Sequence, residues 1–397
     1  MEMDKIQMFD ARQDYLTYKE EIDAAIAQVL NSGRFIRDKV VEKFEFEMHQ
    51  HFGTNVVTCG NGTDALQIAL MALDLSEGDE IITTPFTFVA TVEVMMLLKL
   101  KPVFVDINPL NYTIDTTQIE KAITERTKVI LPVHLFGACS NMKAIQNIAK
   151  RNNLYVVEDT CQSLGTIWNV FYNWEDAQYA GTMGDIGCTS FFPTKNLGCY
   201  GDGGAIFVRD KELYERVKMI ANHGSKEKYY YETIGVNSRL DEIQAAILSV
   251  KLKYLSEFIF KRNELEKTYN EELRKLFWEW DKKPKRPYQI PEDDLIVLPK
   301  THDMYMHTFN QYTIRTKKRE ELKSYLSSFN IPTMIYYPLP LHLQQAYKCL
   351  GYKEGDFPVS ELMSKEVLSL PMHPYLDSQQ QHHIIVHIRR FFGLENW

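Results

Sequence analysis

Between residues 54 and 210, short apolar runs alternate with stretches whose apolar positions recur every three to four residues. The runs Asn55–Cys59, Glu80–Thr84, Pro102–Asp106, Val129–His134, Leu154–Glu158, Gly187–Phe192 and Gly204–Val208 predict strands. Several are continuous in Val, Ile and Phe rather than alternating, as in strands covered on both faces. Between them, Asp64–Leu73 carries Leu66, Ala69, Leu70 and Leu73 on one helical face. Ser140–Arg151 begins on a serine suited to capping and ends before Asn152-Asn153. Such alternation predicts an α/β domain around a mostly parallel sheet. A long helix is expected from about Arg239 to Leu276, apolar in its first half and charged in its second. The charged, proline-broken stretch 281–287 follows, and 300–397 reads as a smaller α+β unit. There a strand is expected near Asn310–Arg315, with helices near Arg319–Phe329 and Ser378–Phe391. The expected division is a large domain, 1–250, with an N-terminal arm, and a small C-terminal domain, 251–397, that includes the connecting helix.

Charge narrows the function. The chain has 397 residues, and 45 Lys+Arg against 53 Asp+Glu leave a formal net charge of −8. That balance argues against binding driven by phosphate neutralisation, so no nucleic-acid partner is expected, although a local pocket for a small anion stays open. The apolar stretch Val92–Leu100 is broken by Glu93 and Lys99, well short of the ~18 residues of a membrane helix. No membrane partner is expected, and Met1–Lys5 lacks the features of a signal peptide. Cys59, Cys139, Cys161, Cys188, Cys199 and Cys349 show no C-x-x-C spacing, which fits reduced thiols in a cytoplasmic protein. His383 and His387 read as a helical face near the chain end, and no metal is expected.

Three constellations carry chemistry. In Val56–Leu66 a strand, a glycine-bearing turn and a helix follow one another. Glycine lets backbone approach a ligand, and the N–H groups of a helix start attract an anion. A phosphate on the amides of Thr63 and Asp64, helped by the Thr63 hydroxyl, is one reading; a plain turn capped by Thr63 or Asp64 is the other. In Leu154–Gln162, Glu158 and Asp159 stand where an apolar strand ends, the place where open α/β sheets gather ligands. A buried carboxylate there needs a cation or serves as a helix cap. In Ser190–Gly204, Lys195 follows Phe191, Phe192 and Pro193 and precedes a glycine-rich turn. Desolvation by such neighbours lowers a lysine pKa and frees the amine as a nucleophile; a surface lysine is the plain alternative. A phosphate cup, a Schiff-base lysine and a carboxylate for a pyridine nitrogen are together what pyridoxal 5'-phosphate requires.

With these residues, seven motifs resemble the DegT/StrS-type sugar aminotransferases, pyridoxal-phosphate enzymes of the aspartate-aminotransferase fold type I. They are Gly60–Leu66, Pro85–Thr91, Val157–Ser163, Thr189–Lys195, Gly235–Leu240, Tyr337–His342 and Ser369–Pro374. The resemblance implies that fold, with a mostly parallel seven-stranded sheet in the large domain. It implies that Lys195 forms the Schiff base, Asp159 pairs with the pyridine nitrogen and Gln162 bonds the phenolic oxygen. Phe88 would stack on the ring, and Gly62, Thr63, Asp64 and Ser190 would hold the phosphate. Asn237 would reach in from a second subunit, which makes a homodimer with shared sites. Arg239 would meet a substrate carboxylate, and Tyr336 and Tyr337 would touch the sugar. Without the resemblance, Phe88 reads as a core aromatic, Asn237 as a turn residue and Arg239 as an ion-pair partner.

Within the family the likeness is nearest to transaminases that aminate a UDP-linked 3-keto sugar, such as a 3-oxo-glucuronate, with glutamate as donor, for surface polysaccharide or lipopolysaccharide. The alternatives are a dTDP-3- or 4-keto-6-deoxyhexose aminotransferase, a sugar dehydratase, or a non-catalytic nucleotide-sugar sensor. Dehydratase relatives carry histidine in place of the lysine, so Lys195 opposes that alternative. The chain departs from the family in the aromatic stretch 169–183, which holds Phe171, Tyr172, Trp174 and Tyr179, and at Arg37-Asp38 and Tyr336.

Overall fold

The computed structural model describes residues 5–169, 176–274, 295–300 and 304–394. Three helices, Ala11–Thr17, Lys19–Ser32 and Lys39–Phe52, precede the first strand. In chain order the strands are β1 Asn55–Cys59, β2 Glu80–Thr83, β3 Lys101–Phe104, β4 Thr127–Ile130 and β5 Tyr155–Asp159. Then come β6 Ile167–Trp168, β7 Gln178–Tyr179, β8 Ile186–Ser190, β9 Gly204–Val208, β10 Tyr305–Met306, β11 Tyr312–Arg315 and β12 Val367–Leu370. The main sheet is seven-stranded in the order β1-β9-β8-β5-β4-β2-β3. Only the β1–β9 and β8–β9 pairs are antiparallel, so β9 alone runs against the rest.

Helices cover both faces, which is why β2, β8 and β9 are buried along their whole length. The two-residue alternation of β5 sends Val157 into the core shared with helix Gly62–Met71 and Val156 into the core shared with helix Met142–Asn152. Asp159 therefore faces with Val157, and Glu158 with Val156. A separate core gathers Tyr269, Phe309, Tyr312, Ile314, Leu322, Leu368 and Ile384 around β11 and β12, and Ile6 of the N-terminal arm packs into it.

Some expected limits move. β4 ends at Ile130, not His134, because Pro132 has no N–H for the ladder; contact with β5 resumes at a single bridge, Val133 to Asp159. The helix expected over 239–276 is two, Glu242–Leu252 and Leu255–Leu273, with Lys253 and Tyr254 between them. The break turns Tyr254 onto Tyr18, with ring centroids 4.3 Å apart. Leu276 and 281–287 lie outside the described residues, as do Phe171, Tyr172 and Trp174; Tyr179 lies in β7 and packs edge-on against Phe52. Among the described residues no helix is long and apolar enough to cross a membrane, and no group of three or more His, Cys, Asp or Glu could hold a metal ion.

Candidate active site

The phosphate-cup sequence folds as a strand, a turn and a helix, but the cap is Asn61. Its Oδ1 accepts from the Asp64 N–H at 2.8 Å, and the helix begins at Gly62. The Asp64 amide thus meets the cap, and its carboxylate accepts from the Ser238 hydroxyl at 2.6 Å. First-turn amides have no partner within their own helix, so Gly62 and Thr63 supply the donors that remain. A Cβ at Gly62 would lie 2.7 Å from Ser190 Cβ, so glycine is what lets the end of β8 close on the helix start. Ser190 Oγ accepts from the Phe192 N–H at 3.2 Å and keeps its own proton to donate. Gly62, Thr63 and Ser190 thus form a cradle suited to a phosphate.

The two acidic residues of β5 part company. Glu158 is fully buried and accepts from the N–H groups of Gly181 at 2.9 Å and Met183 at 2.7 Å, and from His134 Nε2 at 2.8 Å. His134 Nδ1 accepts from the Ser140 N–H at 3.1 Å, which leaves the proton on Nε2. Glu158 therefore holds the fold together on the far face. Asp159, also buried, takes a hydrogen bond from Thr91 Oγ1 at 2.9 Å and one from the Cys161 N–H at 3.2 Å. Thr91 in turn meets the Thr87 hydroxyl at 3.0 Å.

Lys195 sits on a turn that its neighbours fix rigidly. Its N–H donates to Phe192 O at 2.9 Å, Cys199 N–H to Phe191 O at 2.8 Å, and Asn196 Nδ2 to Leu164 O at 3.0 Å. A Cβ at Gly198 would meet Pro193 O at 2.4 Å, so the turn closes only on glycine. No described residue hydrogen-bonds or ion-pairs Lys195 Nζ. Desolvation lowers its pKa from the ordinary lysine value, with the Asp159 carboxylate pulling the other way. Burial pushes the Cys161 thiol well up, so it stays protonated and does not compete as a nucleophile.

Gln162 is nearly buried; its Oε1 accepts from the Phe136 N–H at 2.8 Å, and its Nε2 donates to Tyr337 OH at 3.1 Å. Phe88 is 55% exposed, so it is not a core aromatic, and its ring centroid lies 6.2 Å from that of Tyr337. Tyr336 lies beside Tyr337, and burial raises the pKa of both phenols. Arg239 is partly exposed and ion-pairs with no described residue. Asn237 is exposed and makes a backbone bridge to Asn222. Tyr229, Tyr230 and Tyr231 are exposed as well. Sequence reasoning missed Thr91, Phe136 and Ser238. Thr91 lay inside a motif already marked, but its bond to Asp159 spans 68 positions and has no local signature.

A family model described as the DegT/DnrJ/EryC1/StrS aminotransferase family matches residues 17–389. The chain belongs to this family. This DegT-family aminotransferase is accordingly dependent on pyridoxal phosphate. It is 44% identical over 98% of both chains to the "Pleiotropic regulatory protein" of Geobacillus stearothermophilus. It is 39% identical to the UDP-2-acetamido-2-deoxy-3-oxo-D-glucuronate aminotransferase of Pseudomonas aeruginosa, covering 94% of this chain and 96% of that one. Among solved structures, S. venezuelae DesV in complex with a ketimine intermediate superposes with a TM-score of 0.90 at 36% identity, covering 99% of this chain and all of that one. The cradle of Gly62, Thr63 and Ser190, the Lys195 amine that no described residue hydrogen-bonds and the half-exposed Phe88 suit the cofactor of the family.

Proposed function

We propose that this DegT-family aminotransferase moves an amino group from glutamate to a keto sugar carried on a nucleotide. A UDP-linked 3-keto sugar is the preferred acceptor, a 3-oxo-glucuronate derivative being one form. The observation that carries the reading is the pair at the carboxyl ends of the central strands β5 and β8. Lys195 presents a desolvated amine with no described partner, and Asp159 is oriented by Thr91 and the Cys161 N–H. Bound there, pyridoxal phosphate supplies an electron-withdrawing ring that acidifies the C–H next to the substrate nitrogen.

The chain's own groups do the rest. Gly62, Thr63 and Ser190 bind the phosphate, Phe88 covers the ring face, and Gln162 donates to the phenolic oxygen. Asp159 supplies the negative charge that keeps the ring nitrogen protonated. Lys195 Nζ, its pKa lowered by burial, would take the proton from the substrate carbon and deliver it to the cofactor carbon on the far side of the shared nitrogen. Arg239, unpaired within the described chain, offers a planar fork to a uronate carboxylate, and Tyr336 lies near enough to Tyr337 to meet the sugar. Asn237 completes the phosphate site of a second copy, so the working form is a homodimer. The product serves surface polysaccharide synthesis in the cytoplasm. The name of the Geobacillus relative favours a rival, a regulatory sensor; Lys195, Asp159 and Gln162 together support catalysis.

The test is the purified protein with pyridoxal phosphate, glutamate and a panel of keto-sugar nucleotides, products being read by mass spectrometry. Yellow absorbance that glutamate bleaches, and a product 3-amino sugar, are expected; Lys195→Ala loses both. Binding of the sugar nucleotides without amination by wild type would favour the sensor. Arg239→Ala should slow the uronate more than its neutral analogue, and equal losses would remove the carboxylate assignment.

A further inference from the structure

The bonds around Gln162 leave little freedom. A backbone N–H must meet oxygen, so the 2.8 Å contact with Phe136 identifies Oε1 and leaves nitrogen on the other side. Phe136 sits at φ 61°, in the left-handed region that a bulky residue rarely adopts, and its N–H thereby aims at the amide. Of the two N–H groups on Nε2, one goes to Tyr337 OH at 3.1 Å, and one is unspent. Tyr337 is itself held by ring contacts to Phe86 and Phe88, with centroids 6.3 and 6.2 Å away. Its segment lies 175 positions from Gln162 in the chain.

We propose that Tyr337 is a positioning residue: its hydroxyl oxygen and the Phe136 N–H clamp the Gln162 amide so that the remaining N–H points at the phenolic oxygen of pyridoxal phosphate. This deepens the cofactor assignment above and rests on it. It gives Tyr337 a part in tuning the cofactor, distinct from contact with the sugar. A donor at the phenolic oxygen competes with the protonated nitrogen that links Lys195 to the cofactor. When the donor is lost, that proton is held more tightly and leaves at a higher pH.

Holoenzymes of wild type, Tyr337→Phe, Gln162→Leu and the double variant are titrated with pH while cofactor absorbance is followed, and kcat and KM are measured for glutamate and sugar. Tyr337→Phe keeps the ring that packs on Phe86 and Phe88. It is expected to raise the absorbance midpoint by about 0.5–1 unit and to lower kcat more than it raises KM. In the Gln162→Leu background it should move the midpoint no further, because it acts through that amide. An unchanged midpoint with a raised KM for the sugar alone would make Tyr337 a sugar contact and overturn the proposal, as would additive midpoint shifts. Absence of cofactor absorbance in wild type would instead overturn the site assignment, and this inference with it.

Discussion

Lys251→Met tests how the buried charges of this fold are balanced. Lys251 and Asp14 have side chains 2% and 3% exposed, and their charged atoms are 2.7 Å apart. At an effective dielectric of about 20, their attraction is about 6 kcal/mol at the observed 2.7 Å. Removing each ion from water costs several kcal/mol, so the pair as a whole is close to neutral for stability. Burial indeed lowers the Lys251 pKa despite the pull of Asp14. Breaking the pair is another matter. Lys251→Met leaves the Asp14 carboxylate buried with two hydroxyl donors, Tyr200 at 3.0 Å and Tyr375 at 2.7 Å. It also frees Gly198 O, which now accepts from Lys251 Nζ at 2.6 Å. A loss of about 3–5 kcal/mol is expected. Asp14→Asn combined with Lys251→Met should cost about 2 kcal/mol less than the two single losses together. Urea denaturation of the holoprotein, followed by circular dichroism, measures the changes. A single-variant loss under about 1 kcal/mol, typical of exposed pairs, would refute the reasoning. Strict additivity would refute it too.

Acid should weaken the fold through its buried histidines. Desolvation lowers His307 to about 3 and His373 to about 4. The unfolded chain therefore takes up protons that the folded one refuses, and stability present above about pH 6.5 is lost as pH falls toward those values. Each histidine contributes a slope of about 1.4 kcal/mol per pH unit in that window. His307→Asn, which keeps an acceptor for the Phe309 N–H, should flatten the acid limb of urea midpoints; an unchanged limb would count against it. Thr91→Val removes a 2.9 Å donor from the Asp159 carboxylate. It should cut kcat/KM about ten- to hundredfold, the worth of a hydrogen bond to a charged group, and an activity within twofold of wild type would show that the bond does not orient Asp159.

Local pattern determined much of this protein. Continuous Val, Ile and Phe runs mark strands buried on both sides, and β1 and β9 lie at their predicted limits because a glycine-bearing turn follows β1 and another precedes β9. Lys195 and Asp159 were legible because a reactive amine after an apolar run and a carboxylate at a strand end each stand out from local neighbours. What needed the tertiary structure is whatever depends on pairs distant in the chain. Helix Lys39–Phe52 has no side-chain cap of its own, and Glu242 supplies one from 204 positions away, accepting from the Asp38 N–H. The break at Lys253-Tyr254 lacks glycine or proline, and it follows from the stacking of Tyr254 on Tyr18. The split between Glu158 and Asp159 follows from which face of β5 each occupies once the sheet is covered. The orientation of Gln162 is set by Phe136 and Tyr337, whose positions no local rule relates to it. Periodicity is a property of neighbours along the chain, whereas hydrogen-bond partners are chosen by proximity in space, and only the folded chain brings those atoms within reach.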